Sequence, residues 1–235
     1  MRRVAKAGRS GWNNLAASRR VYRCLMTSNA TGLIHSYEPR LGHGLAHDPF
    51  NAIIAPRPIG WIGTHDGQGG TNLAPYSFFN AFNYVPPIIG FASTGPKDTL
   101  RNAKATGEFT WNLVTRDLAV AMNASSAMVE PGVSEFDLTA LTRLASTLIT
   151  APRVAECPVS FECRVSQIVQ LQSAAGAVVP TWMVFGEVVA VHIARHLIVD
   201  GAYSTTAAQP VVRGGGAGDY FEISADALFT MARPR

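Results

Sequence analysis

The sequence predicts a mainly β protein, a closed or split antiparallel barrel with a few peripheral helices, on three observations. Apolar runs of strand length recur along the chain, Gly, Pro and Asp cluster between them, and long helical patterns are scarce. A barrel this small fills its interior with side chains, so a ligand must sit on its outside, where a dimer interface could bury it.

Residues 32–50, with Gly32, Pro39, Gly42, Gly44 and Pro49, read as an irregular lead-in. Residues 51–54 predict the start of the first barrel strand, bent or bulged by Pro56 and Pro58. Ile59-Gly60-Trp61-Ile62-Gly63-Thr64 sets small residues between bulky ones, a pattern suited to a barrel wall. Asp66-Gly67, then Gly69-Gly70, tolerate positive φ and predict a hairpin. The chain returns through residues 72–80. Pro75 cannot donate to a ladder, so this segment belongs on an edge or at a bulge, with backbone groups left free. Pro86-Pro87 opens an apolar strand over 88–92, and a helix follows with Asp98 as its N-cap and Gly107 as its stop.

Residues 108–114 alternate Phe109, Trp111 and Leu113 against Thr110, Asn112 and Val114, which predicts a strand with one buried face. Asn112 is expected to serve a neighbouring strand's backbone. Residues 117–124 predict a short helix capped by Asp117, and 127–152 a loop-rich insertion of the kind that packs a partner or covers a site. Strands over 159–165 and 168–171, a hairpin connection over 173–180 and a longest strand over 183–193 complete the series. Glu187 is expected to face outward and pair with Arg164 or Arg195. The glycines at 214–218 lack both the G-x-G-x-x-G spacing and the βαβ setting of a dinucleotide site.

The chain of 235 residues is 47% hydrophobic, enough for a sizeable core. Its net charge of +4 is not spread evenly: residues 1–25 hold seven basic side chains and no acid. Without those seven, 13 bases face 16 acids, so the body carries −3 and offers no basic patch for nucleic acid. The Arg-rich, acid-free segment has the composition of a transit peptide, and the simpler account makes Met26 the start of translation. Residues 1–30 are therefore expected to be an extension outside the fold, and 31–235 a single domain. No apolar run reaches membrane-spanning length. Cys24, Cys157 and Cys163 form no CxxC pair and their odd number argues against a disulfide framework, so a reducing, cytoplasmic location is expected. His43 and His47 lie four apart, but Gly42 and Gly44 argue against a helix there, and no metal site is expected.

The junction Ser93-Thr94-Gly95-Pro96-Lys97-Asp98-Thr99 carries the chemistry of a phosphate site. Hydroxyls, an ammonium and the unpaired N–H groups of a helix start converge within seven residues. Arg57, flanked by prolines, offers a second cation. A solvated lysine beside an ordinary helix start explains Lys97 as well; the aromatic segment before it tips the balance toward a planar ligand with an anionic tail.

Several motifs in this order resemble the flavin reductase-like, FMN-binding split-barrel family, which includes flavoredoxin and the reductases of two-component flavin systems. They are Arg57-Pro58-Ile59-Gly60-Trp61, Asn72-Leu73-Ala74-Pro75-Tyr76-Ser77-Phe78-Phe79-Asn80, Pro86-Pro87 and Lys97-Asp98-Thr99-Leu100-Arg101-Asn102. The likeness continues through Met122-Asn123-Ala124-Ser125-Ser126, Gly186-Glu187-Val188-Val189 and the closing residues 229–234. The resemblance implies a Greek-key split barrel, FMN as cofactor, NADH or NADPH as electron donor, a homodimer and a partner oxygenase or other electron acceptor. By the same resemblance Ser77, Phe78, Phe79 and Asn80 line the isoalloxazine and ribityl region with Asn72 and Ala74 nearby. Ser93, Lys97, Thr99 and Arg57 hold the phosphate, and Asp98 orders the helix start. The insertion helps form the dimer and one side of the flavin pocket, and Asp219-Tyr220-Phe221 approaches the flavin of the neighbouring subunit. No catalytic acid or base is assigned, because the flavin carries the chemistry. A flavoredoxin-type electron carrier without nicotinamide activity, or an FMN-binding regulatory or storage module, stays open beside the reductase.

Overall fold

The computed structural model describes residues 34–130 and 133–234; the expectations for residues 1–30 lie outside them. The chain divides into two units at Pro49 and Phe50. Within the first, the described lead-in carries only a 3-10 turn at Pro39–Leu41.

The second unit opens with a helical turn, α1 (Phe50–Ile53), where a strand was expected. Asn51 and Ala52 both disfavour a strand, which leaves the single β-branched Ile53 of that turn outweighed. The strands β1 (Arg57–Pro58), β2 (Gly60–His65), β3 (Thr71–Tyr76), β4 (Phe79–Asn83) and β5 (Ile88–Thr94) follow. The 72–80 segment is thus two strands, broken at Ser77 and Phe78. Helix α2 (Asp98–Thr106) leads to β6 (Glu108–Asn112). Short elements come next: α3 (Ala119–Ala124), α4 (Glu135–Thr139), β7 (Arg143–Leu144) and β8 (Arg153–Val154). The long hairpin β9 (Val159–Gln172) and β10 (Val178–Ile193) is followed by β11 (Ile198–Val199), β12 (Ala202–Tyr203), α5 (Thr205–Ala208), β13 (Val211–Arg213) and β14 (Tyr220–Glu222).

Seven strands form one antiparallel sheet in the order β3-β2-β6-β9-β10-β5-β4, and β1-β13-β14 form a second, three-stranded one. The hairpin between β2 and β3 turns at Gly67 and Gly69, both at positive φ, with Asp66 Oδ1 accepting from the Gln68 and Gly70 N–H groups. Pro75 sits on β3, an edge strand, where its missing N–H costs no ladder bond.

The sheet is buried on both faces near its middle, because it curls around one core and lays its back against another. Ile62, Phe91, Phe109, Cys163 and Val184 fill the inside with Leu100 and Ala103 of α2. Trp61, one residue from Ile62 and so on the opposite face, joins Leu73, Val114, Met122, Phe136 and Val154 outside. For the same reason β6 has no solvent face: Phe109, Thr110 and Asn112 are all buried. Asn112 does serve neighbouring backbone, donating to Trp61 O at 3.2 Å and accepting from Val154 N at 2.9 Å. Asp117 caps nothing, since α3 begins after Leu118. Glu187 is exposed opposite Arg164 in the register but makes no ion pair among the described residues.

Gly186 shows how tightly the inner core is filled. A Cβ there would lie 2.4 Å from Phe109 Cε1, a ring that is itself fully buried. Gly186→Ala is expected to destabilise the fold by about 1–3 kcal/mol through overpacking, measured as a lower urea midpoint at unchanged m.

Candidate functional site

Strand β4 is the other edge of the seven-stranded sheet, so the outer side of Phe79–Asn83 has no strand partner. A cleft of about 290 Å³ opens there, lined by Ile54, Pro56, Arg57, Phe78, Phe79 and Asn80 among others. Phe79 is fixed from behind by Trp111, stacked at 5.8 Å and 7°. Phe82 packs edge-on against Phe185 at 5.1 Å. Phe78 stays 40% exposed with the Arg57 guanidinium 5.7 Å from its ring centre.

Arg57 holds this aromatic group in place. Its Nε donates to Ser77 O at 3.1 Å, Nη2 to Gly214 O at 3.3 Å, and Nη1 to Asn51 O. Burial, and then the charge of Arg213, hold the guanidinium below its usual pKa. Its fork is spent on three carbonyls, which ties β1, the break before β4 and the glycine segment together.

The second half of the site lies along the β4–β5 ladder. Ala92 N donates to Phe78 O at 2.8 Å, extending the pairing of Phe79 with Phe91 and carrying the chain toward Ser93. Ser93 is fully buried and donates to Gly95 O at 3.2 Å. Lys97, not Asp98, is the residue at the helix N-cap, and it supplies no capping side chain. Asp98 is the first helical residue, with its carboxylate 3.0 Å from Arg101. The N–H groups of Asp98, Thr99 and Leu100 therefore find no acceptor among the described residues. Had Asp98 capped the helix, its carboxylate would occupy the place an anion needs. Lys97 is exposed beside these donors, with no partner among the described residues.

Beneath the helix start is a buried polar network that sequence reasoning missed apart from Asn72 and Thr99. Thr99 Oγ1 donates to Asn72 Oδ1 at 2.6 Å, and Thr64 Oγ1 donates to the same oxygen at 3.3 Å. Asn72 Nδ2 donates to both oxygens of buried Glu135, at 2.8 and 2.7 Å. Asn102 Nδ2 donates to Thr64 at 3.1 Å. Asn72 and Thr99 thus join strand and helix through their side chains, and Ala74 packs against the inner core.

The structure brings Arg57, Ser77, Phe78, Phe79 and Asn80 to one cleft and Ser93, Lys97, Asp98 and Thr99 to the adjoining helix start. It adds Pro58, Phe82 and Met183 to the cleft. A second cleft of about 240 Å³ shares Ser77 and is lined by Asn123, Ser126, Arg213 and Tyr220. Asn123 and Ser126 lie in the motif at 122–126 and Tyr220 in the segment 219–221 that the resemblance sets near a flavin; the β13–β14 pairing that brings Arg213 there leaves no local signal.

Comparison with known proteins places the chain in a family. Residues 54–207 match the family model for the flavin reductase like domain. An uncharacterised protein from Halalkalibacterium halodurans is 34% identical over 189 residues, covering 77% of this chain and 87% of its own. Among solved structures, nitrilotriacetate monooxygenase component B from Bacillus cereus is 26% identical with a TM-score of 0.70, covering 97% of this chain and 100% of its own. A protein with a split barrel domain from Shewanella frigidimarina is 27% identical with a TM-score of 0.69, covering 78% and 90%. The chain belongs to the flavin reductase-like family and folds as its mainly β, antiparallel split barrel.

Proposed function

We propose that the protein is an FMN-binding oxidoreductase, an NAD(P)H-dependent flavin reductase that delivers electrons from reduced flavin to an acceptor. The observation that carries this reading is the placement of an aromatic cleft and an uncapped helix start along one β4–β5 ladder. The donor set fits FMN: Phe78, Phe79 and the free edge of β4 suit a planar ring, Ser77 and Asn80 a polyhydroxyl chain, and Lys97 with three N–H groups a phosphate. Arg57 shapes the ring end through its three carbonyls. Bound FMN would supply the two-electron carrier between nicotinamide and acceptor. The residues here bind and orient; Trp111 behind Phe79 and Phe185 behind Phe82 hold the shelf rigid. The likeness to a monooxygenase component B supports an oxygenase as the acceptor's owner.

A homodimer belongs to the same proposal. Phe82, Tyr84 and Val85 on and after β4 are 53%, 90% and 79% exposed, an apolar face beside the cleft that a second subunit would cover. Sedimentation of the flavin-loaded protein should give about twice the 25.1 kDa chain mass; a loaded monomer would refute the dimer. No described helix is long and apolar enough to cross a membrane, and Cys157 and Cys163 are free thiols, in keeping with a reducing cytoplasm as the proposed location.

FMN added to the purified protein is expected to bind, with steady NADH or NADPH oxidation under excess flavin. Bound FMN that dithionite reduces but neither nicotinamide touches would instead favour an electron carrier of the flavoredoxin kind.

A further inference from the structure

Tyr76 is the residue the site leaves unexplained. It is 6% exposed, on the inward face of β3 that Asn72 and Ala74 share, and its ring packs 4.7 Å from that of Phe91. Its hydroxyl faces the hydroxyls of Thr99 and Ser93, close enough for both to favour its charged form against burial, yet it reaches hydrogen-bond geometry with neither, nor with any other described group. Burial pushes the phenol up, so it stays protonated and can donate. A buried hydroxyl with no partner is uncommon, and its neighbours here are the two hydroxyls at the uncapped start of α2.

The bookkeeping of protons explains how it could be satisfied. The Thr99 proton goes to Asn72 Oδ1, but that oxygen also accepts from Thr64. Thr99 can therefore turn its proton away without orphaning Asn72. The Ser93 proton goes only to the loop carbonyl of Gly95. An anion at the helix start would draw both protons toward itself, and turning each hydroxyl would swing one of its lone pairs toward the phenol. Tyr76 is the donor in place.

We propose that Tyr76 is a positioning residue for the anionic end of the ligand, its phenol donating to Thr99 Oγ1 or Ser93 Oγ once these turn their protons to the anion. This rests on the proposed function only in placing the ligand's charged end at the start of α2. The hydroxyl is idle in the free protein and engaged in the complex, so removing it should have opposite effects on the two states.

Tyr76→Phe tests this by titration with FMN and riboflavin, together with the thermal midpoint of the flavin-free protein. The Kd for FMN should rise about three- to tenfold while that for riboflavin stays within about twofold. The flavin-free midpoint should hold or rise, since a buried unpaired hydroxyl has been removed. Equal weakening of both flavins with a lower midpoint would make Tyr76 a packing residue, and no change in either Kd would leave its hydroxyl idle; both results overturn the proposal. Wild type that binds neither flavin, or binds FMN no better than riboflavin, would sink the anion site and the proposed function with it. Wild type that prefers FMN beside a variant that prefers it equally would remove only the role of Tyr76.

Discussion

Replacing Glu162 by alanine is expected to cost about 3–5 kcal/mol of stability. Glu162 is fully buried on β9 and accepts from Thr147 N at 2.7 Å, Thr147 Oγ1 at 2.8 Å, Leu148 N at 2.7 Å and His192 Nε2 at 2.7 Å. Arg153 Nε stands 3.7 Å away. On the neighbouring strand Glu108 accepts from Thr150 N, Ala151 N and His65 Nε2. Two carboxylates on adjacent strands therefore pin the 147–151 loop through its amides, and alanine at 162 would leave four donors without their acceptor. Burial works against the charged form, but the Thr147, Leu148 and His192 hydrogen bonds outweigh it and hold the Glu162 carboxyl at about 2 against an ordinary 4.5. A carboxyl held this low adds stability that is present in full above pH about 4.5 and lost as pH falls toward 2, screened by the solvent around the exposed loop. Urea unfolding of wild type and Glu162→Gln should therefore differ most at pH 7, and by less than half as much near pH 3. A difference independent of pH would mean that the charge contributes nothing.

How much of this was visible beforehand depends on how far each signal reaches along the chain. The turns, the edge position of Pro75 and the Gly107 stop are local chemistry, and the structure has them. The curl of the sheet is not local. Trp61 and Ile62 face different cores, so a strand that alternates large residues can be buried on both sides, and the single buried face expected for β6 follows from treating it as flat. Glu162 reads in sequence as the polar half of an alternating strand; only the loop some 15 residues before it makes it a buried anchor. In the site, the aromatic shelf and the hydroxyl–lysine junction lie within two short stretches, and their order could be read. Arg57 could be seen as a cation, but not that Ser77, Asn51 and Gly214 carbonyls would take its donors, the last from 157 residues away. The capping role given to Asp98 failed by one position, because the helix starts one residue early and turns Asp98 into its first residue, paired with Arg101.

That one-position difference sets the expectation for Lys97→Ala, which should weaken FMN by about tenfold to a hundredfold and leave riboflavin nearly unchanged. FMN and riboflavin share ring and ribityl chain, so their difference isolates the phosphate. With Asp98 paired to Arg101, the positive groups left without a partner at the start of α2 among the described residues are Lys97 and the three N–H donors, and of these a side-chain substitution removes the ammonium. A hydrogen bond to a charged group contributes about 1.5–3 kcal/mol, which converts to the stated loss. Lys97 is exposed, so its contribution is screened by salt and both titrations belong at one low ionic strength. Its exposure also predicts that the flavin-free variant unfolds at the wild-type midpoint, because no contact among the described residues is lost. Fluorescence titration of the apo proteins decides the matter. Equal losses for the two flavins would make Lys97 a support of the fold, and no loss for either would make it a solvated lysine beside a helix that happens to lack a cap.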